Sequence, residues 1–184
     1  MAKKNSSGKK NLFLWISAGL IALAIVAYLV MHFWVNNMNR SPKTAAEYTF
    51  RAIYGFDYDT FMESSIYSDN AQKYLKMEVF DDITQIEGEF QNSRALADTY
   101  HLSIEKAAAT EYNRTSEEYL KGITLLRTQN PEAKLEEISG VALVTIDYRM
   151  EFGDQNEKGS ENYWVYRIHG RWYCHPLVNE VREY

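Results

Sequence analysis

The chain has 184 residues, a formal net charge of −5 and a single cysteine, Cys174, which leaves room for one domain of ordinary size and excludes an intramolecular disulfide or a thiolate metal site. Apart from Lys3, Lys4, Lys9 and Lys10 near the N-terminus, the remaining 16 of the 20 basic residues face 25 acidic ones, a balance that argues against nucleic acid as a partner. His32, His101, His169 and His175 form no pair at helical spacing and have no carboxylate set around them, so no metal and no cofactor is expected.

From Leu12 to Val35 no charged residue occurs if His32 is neutral, and the run exceeds the ~20 residues needed to cross a bilayer core. Trp15 and Trp34 bracket it, 19 residues apart. At about 1.5 Å per helical residue they are separated by roughly 28 Å, close to the ~30 Å hydrocarbon thickness. The stretch predicts a single-pass transmembrane helix over 12–35 with both indoles at the interfaces. The four lysines place residues 1–11 in the cytoplasm as a basic tail. Residues 36–41 are then a linker, and 42–184 an extracytoplasmic domain at the cell membrane. A cleaved signal peptide fits less well, because MHFWVNNMNR offers no small-x-small site.

Ser41-Pro42 supplies an N-cap with proline at the first helical position, and Ala46, Phe50 and Ile53 recur at helical spacing through Phe56. Asp57 can cap a shorter helix carrying Phe61 and Met62. Asp69 opens one long amphipathic segment with Leu75, Val79, Ile83, Ile86 and Phe90 on a stripe. The period then changes to two, since Tyr100, Leu102 and Ile104 alternate with His101, Ser103 and Glu105. Ser116 can cap a further helix before Asn130-Pro131. From Ala142 to Phe152 a second strand alternates cleanly, Gly153 to Gly159 reads as a polar turn, and 163–168 with 171–176 read as a hairpin closed by His169-Gly170. The order predicts an α+β domain with helices gathered on one side of a curved antiparallel sheet.

With its opening SPKTAAEYTFRAIYGFDYDTF and closing RIHGRWYCHP, the chain resembles the NTF2-like (cystatin-like) superfamily over most of Ser41 to Val178, and specifically its membrane-tethered domains in bacterial cell envelopes. The resemblance implies a cone of helices on a curved sheet, without implying an activity. Enzymes of that superfamily use Asp, His or Tyr projecting into the cone. On the apolar phase of this chain the polar side chains are Tyr100, Lys106, Tyr112 and Tyr148, while His101, Glu105, Asp147 and Arg149 fall outward, so no acid–base pair and no catalytic residue is expected. Asp57 and Glu63 are helix-borne carboxylates within reach of the cone mouth.

In the final hairpin, Ile168 should pair with Arg171, Tyr166 with Tyr173 and Trp164 with His175. Cys174 then points inward and is inert. The resemblance turns Trp172 toward the helices, leaving Trp164, Tyr166, Tyr173 and His175 on the convex face, rimmed by Glu161 and Arg171. Such a patch is either a protein contact or is covered by another segment. Asn113-Arg114-Thr115 marks a surface turn. The expected function is a non-catalytic binding or assembly module whose partners are membrane lipid through 12–35 and a second copy or another envelope protein. By analogy, it could be a scaffold in a secretion or conjugation apparatus. The rival is a small enzyme or ligand carrier using the cone cavity.

Overall fold

The computed structural model describes residues 20–29, 37–77 and 83–176. The chain divides into two units, Met1–Asn37 and Met38–Tyr184. In the first, residues 20–29 are helical and expose Leu20, Ile21, Leu23, Ile25, Val26, Tyr28 and Leu29. The expected transmembrane helix, and with it the single-pass signal anchor, is corrected here: among the described residues no helix is long and apolar enough to cross a membrane. The remainder of 12–35, with Trp15 and Trp34, lies outside the described residues, as do Lys3, Lys4, Lys9 and Lys10.

The second unit begins inside the span read as a linker, because Met38 and Asn39 are buried. Helix α1, Pro42–Gly55, starts where Ser41 Oγ accepts from the Thr44 amide, and it ends with Phe56 in the left-handed region at φ 50°. The Asp57 carboxylate accepts from the Thr60 amide to open α2, Tyr58–Ser64. Beyond it the single long helix expected from the Leu75–Phe90 stripe is instead two. Ser68 caps α3, Asp69–Leu75, and Lys76 ends it at φ 49°. Helix α4 is Ile83–Ser93, followed by a 3-10 segment, Arg94–Thr99. A stripe shared by two helices carries no mark of the left-handed residue that separates them.

Strands β1, His101–Tyr112, β2, Ile138–Phe152, β3, Gln155–Ile168, and β4, Arg171–Cys174, form an antiparallel sheet in that order, with α5, Glu117–Gln129, between β1 and β2. The GDQNEKG segment is mostly strand rather than turn. Gly153 at φ 54° and Asp154 suffice to reverse the chain, and Gln155 already pairs with Phe152. The closing hairpin has the expected register, with Tyr166 opposite Tyr173 and Ile168 opposite Arg171 around His169 (φ 48°) and Gly170 (φ 82°). Positive φ at both loop positions suits the right-handed twist of the strands.

The helices lie on both faces of the sheet, not on one. On one face α1 lays Ala45, Ala46 and Phe50 against Ala142, Val144, Ile146, Tyr163, Val165, Trp172 and Cys174. On the other, Tyr119 and Leu126 of α5 join Ala71 and Leu75 of α3 over Val141, Tyr166, Ile168 and Tyr173. Strand alternation makes this division, since Val165 and Tyr166 must point to opposite sides. Helix α5 approaches closely through Gly122, where an added Cβ would lie 2.7 Å from Val141 Cγ1 and 3.0 Å from the Trp164 ring.

Gly122→Ala should lower unfolding stability by about 1–3 kcal/mol through overpacking. Gly88→Ala, in α4 with nothing within 4 Å of the new methyl, should raise it by roughly 0.5–1 kcal/mol. Urea titrations of the two variants check both signs.

Candidate functional site

The inward phase offered Tyr100, Lys106, Tyr112 and Tyr148 but no acid–base pair, and the structure places a carboxylate beneath α1 that this reading did not include. Glu161 pairs with Ile146 in the ladder and shares its face. One Glu161 carboxylate oxygen accepts from the Tyr54 hydroxyl and the other from the Tyr163 hydroxyl. Tyr54 and Tyr148 both pack on Phe50, at ring separations of 4.8 and 5.1 Å. Burial pushes the Tyr54 and Tyr163 phenols well above their ordinary value, and the Glu161 carboxylate raises both further. These phenols keep their protons at any ordinary pH. With both carboxylate oxygens taken by donors that do not ionise, the group ties α1 to β3. The missed signal was phase: Glu161 stands two residues before the inward Tyr163.

Of the side chains read as inward-facing, Tyr148 lies there, against Tyr54 and Phe50, and the Tyr100 hydroxyl donates to the Tyr54 carbonyl. Lys106 does not. A register shift between Ile104 and Lys106 sets Lys106 opposite Asp147 on the outer face, while Ala107 takes the inward position opposite Ile146. Tyr112 follows Lys106 outward and meets Trp164. His101 and Glu105 are exposed. Glu105 pairs with Arg149 at 2.5 Å and Lys158 at 3.3 Å, and these hydrogen bonds hold its carboxyl below the usual range.

The convex aromatic patch is covered. Tyr166, Tyr173 and His175 are buried, and Trp164 is half-buried beneath α5. The Tyr166 hydroxyl donates to the Gly122 carbonyl at 2.8 Å, and His175 Nε2 donates to Gln129 Oε1. These four residues are therefore not an exposed contact surface; α5 occupies the face on which they lie. Cys174 is fully buried, which raises its thiol above the ordinary value. Arg114 Nη2 donates to the Ile138 carbonyl at 3.2 Å, fixing the turn at 113–115.

Two hollows flank Gly55. A cleft of about 520 Å³ is lined by Phe56, Asp57, Tyr58, Glu87, Phe90 and Arg94 among others. A smaller hollow of about 200 Å³ lies between Arg51, Tyr54, Ala97 and Tyr100. Asp57 is engaged as the α2 cap, and Glu63 contributes its backbone carbonyl to the Asn39 side chain. Among the described residues no group of three His, Cys, Asp or Glu is placed to hold a metal ion.

The two edges of the sheet differ. At β4 the Trp172 amide donates to the Asn39 carbonyl at 3.0 Å, and the Cys174 carbonyl accepts from the Ile66 amide at 2.9 Å, next to a bridge between Ser65 and Cys174. That edge is closed along β4, which reaches only Val165–Ile168 of β3; among the described residues no segment pairs with the outer side of β3 before Trp164. Strand β1 is the opposite edge, twelve residues long, and among the described residues no segment pairs with its outer side. Comparison with protein-family models, curated proteins and solved structures finds no match to the chain.

Burial pulls the His175 imidazole down to about 4 from 6.5. The unfolded chain therefore binds a proton between these values that the folded chain does not, so this contribution is present above pH 6.5 and is lost as pH falls toward 4. Unfolding free energy should drop by about 2–3 kcal/mol between pH 7 and pH 4.5 on this account, and His175→Asn should flatten that slope in urea titrations at the two pH values. Glu161→Ala should cost about 2–4 kcal/mol by leaving two phenols without acceptors, with Glu161→Gln in between, measured in the same way.

Proposed function

We propose that this protein is a non-catalytic binding or assembly module that recruits a protein partner by strand addition along β1. The observation that supports it is the long edge of β1, along which no described segment pairs, while the chain itself occupies the pairing groups of β4 through Asn39 and Ile66. An open edge offers a row of backbone donors and acceptors to any extended segment. Natural sheets blunt such edges with proline, bulges, charged side chains or covering segments; β1 contains no proline, and its one register shift and Lys106 stand before an uncharged run, Ala107–Thr110. The tie between Glu161, Tyr54 and Tyr163 supports the same reading over an acid–base enzyme, because this carboxylate beneath α1 has both oxygens engaged.

The reading includes lipid contact through the uncharged stretch 12–35, of which residues 20–29 expose apolar side chains all round. The NTF2-like likeness belongs to it too. Helices first, then a strand, a helix and a three-strand meander are the order that the likeness implies.

The test is a photo-crosslinking residue placed in the full-length chain in cells, at Ala108 on β1 or at Thr128 on the exposed side of α5. Protein adducts are expected at 108 and not at 128. With the crosslinker at 108, of Ala109→Pro and Thr110→Pro the one whose amide points outward should abolish the adducts with the melting temperature within a few degrees of the parent. Adducts equal at the two sites, or none at 108, would overturn the proposal. Lipid contact is checked separately by flotation with phosphatidylethanolamine–phosphatidylglycerol vesicles: the full-length chain should float and a chain lacking 12–35 should sink.

A further inference from the structure

Strand β1 is irregular in one place only. Its ladder with β2 shifts between Ile104 and Lys106, and from Lys106 to Tyr112 the register runs without interruption. The regular part of the open edge is therefore seven residues, KAAATEY, with Ala109 at its centre. An antiparallel partner related by a twofold axis perpendicular to the sheet must place one residue opposite its own copy, because opposed residues share a face.

We infer that the β1 edge takes a second copy of this chain, antiparallel, with Ala109 opposite Ala109. This rests on β1 being the docking edge. The register uses the whole regular stretch and sets Lys106 opposite Tyr112, Ala107 opposite Glu111 and Ala108 opposite Thr110. No like charges meet. Moving the axis to Ala108 or to Thr110 cuts the regular paired stretch from seven residues to five. At the centre Ala107, Ala108, Ala109 and Thr110 carry no charge or ring to hold the strands apart, and Ala108, Ala109 and Thr110 are exposed. The four strands of each copy then join in one sheet, with both α1 helices on the same side, since the axis preserves the faces.

The geometry allows a sharp test. In this register the two Ala109 Cα atoms stand about 4.5–5.5 Å apart, within the span of a disulfide. The two Ala108 Cα atoms are offset by two residues along the strand, about 7 Å, in addition to the ~5 Å between strands, which is beyond it. Cys174 is buried and need not be removed.

Full-length protein carrying Ala109→Cys, oxidised with copper–phenanthroline, should give a covalent dimer at least tenfold more abundant than Ala108→Cys, with both variants melting as the parent does. Ala107→Cys combined with Glu111→Cys should crosslink as strongly, which guards against a local effect at 109. Equal dimer from Ala108→Cys, or none from both the Ala109 variant and the double variant, would overturn the inference. The photo-adducts at 108 separate its failure from that of the docking edge itself. Adducts of twice the chain mass support the second copy, and adducts of another mass overturn it while β1 stays a docking edge. The absence of adducts removes both.

Discussion

The architecture depends on the alternation of side chains along the closing hairpin. Within four residues of β3, Tyr163 and Val165 face α1 while Trp164 and Tyr166 face α5, and β4 repeats the division with Trp172 and Cys174 against Tyr173. Both helical layers hang on this one ribbon. A one-residue slip would exchange the two sets and place Trp172 and Cys174 under a helix that meets the sheet through Gly122. The two-residue loop at His169-Gly170 fixes the register, and the contact of Tyr74 with His169, stacked at 4.3 Å, holds that loop against α3.

What the sequence showed plainly was local. The Ser41-Pro42 start, the Asp57 cap, the Ser116 cap and the closing hairpin each depend on a few adjacent residues whose side chains answer their own backbone. Less visible was whatever depends on distant parts of the chain. Nothing near Trp164 or Tyr166 indicates that α5, some forty residues earlier, covers them. Glycine at 122 makes sense only against Val141 and Trp164. The shift after Ile104 is likewise silent in the pattern, since Lys106 reads as inward until the partner strand is known. The uncharged run at 12–35 is the strongest hydropathy signal in the chain, yet among the described residues no helix is long and apolar enough to cross a membrane.

The candidate site was legible in its parts and not in its assembly. Tyr148 and Tyr100 were expected inward and lie there. Glu161 was read as a surface charge because carboxylates seldom sit on a buried face without a partner. Its partners, Tyr54 and Tyr163, come from α1 and β3 and meet it only in the folded chain. Gly159 completes the arrangement, because a side chain there would collide with the Tyr148 ring that crosses it.

The strap laid by Asn39 and Ile66 over β4 also limits growth. A sheet open on both sides can add copies without end, as fibres do. Here the chain itself occupies the pairing groups beside β4, so no further strand can be added there. Were copies to join through β1, as proposed, the β4 margin would offer them no second place to grow.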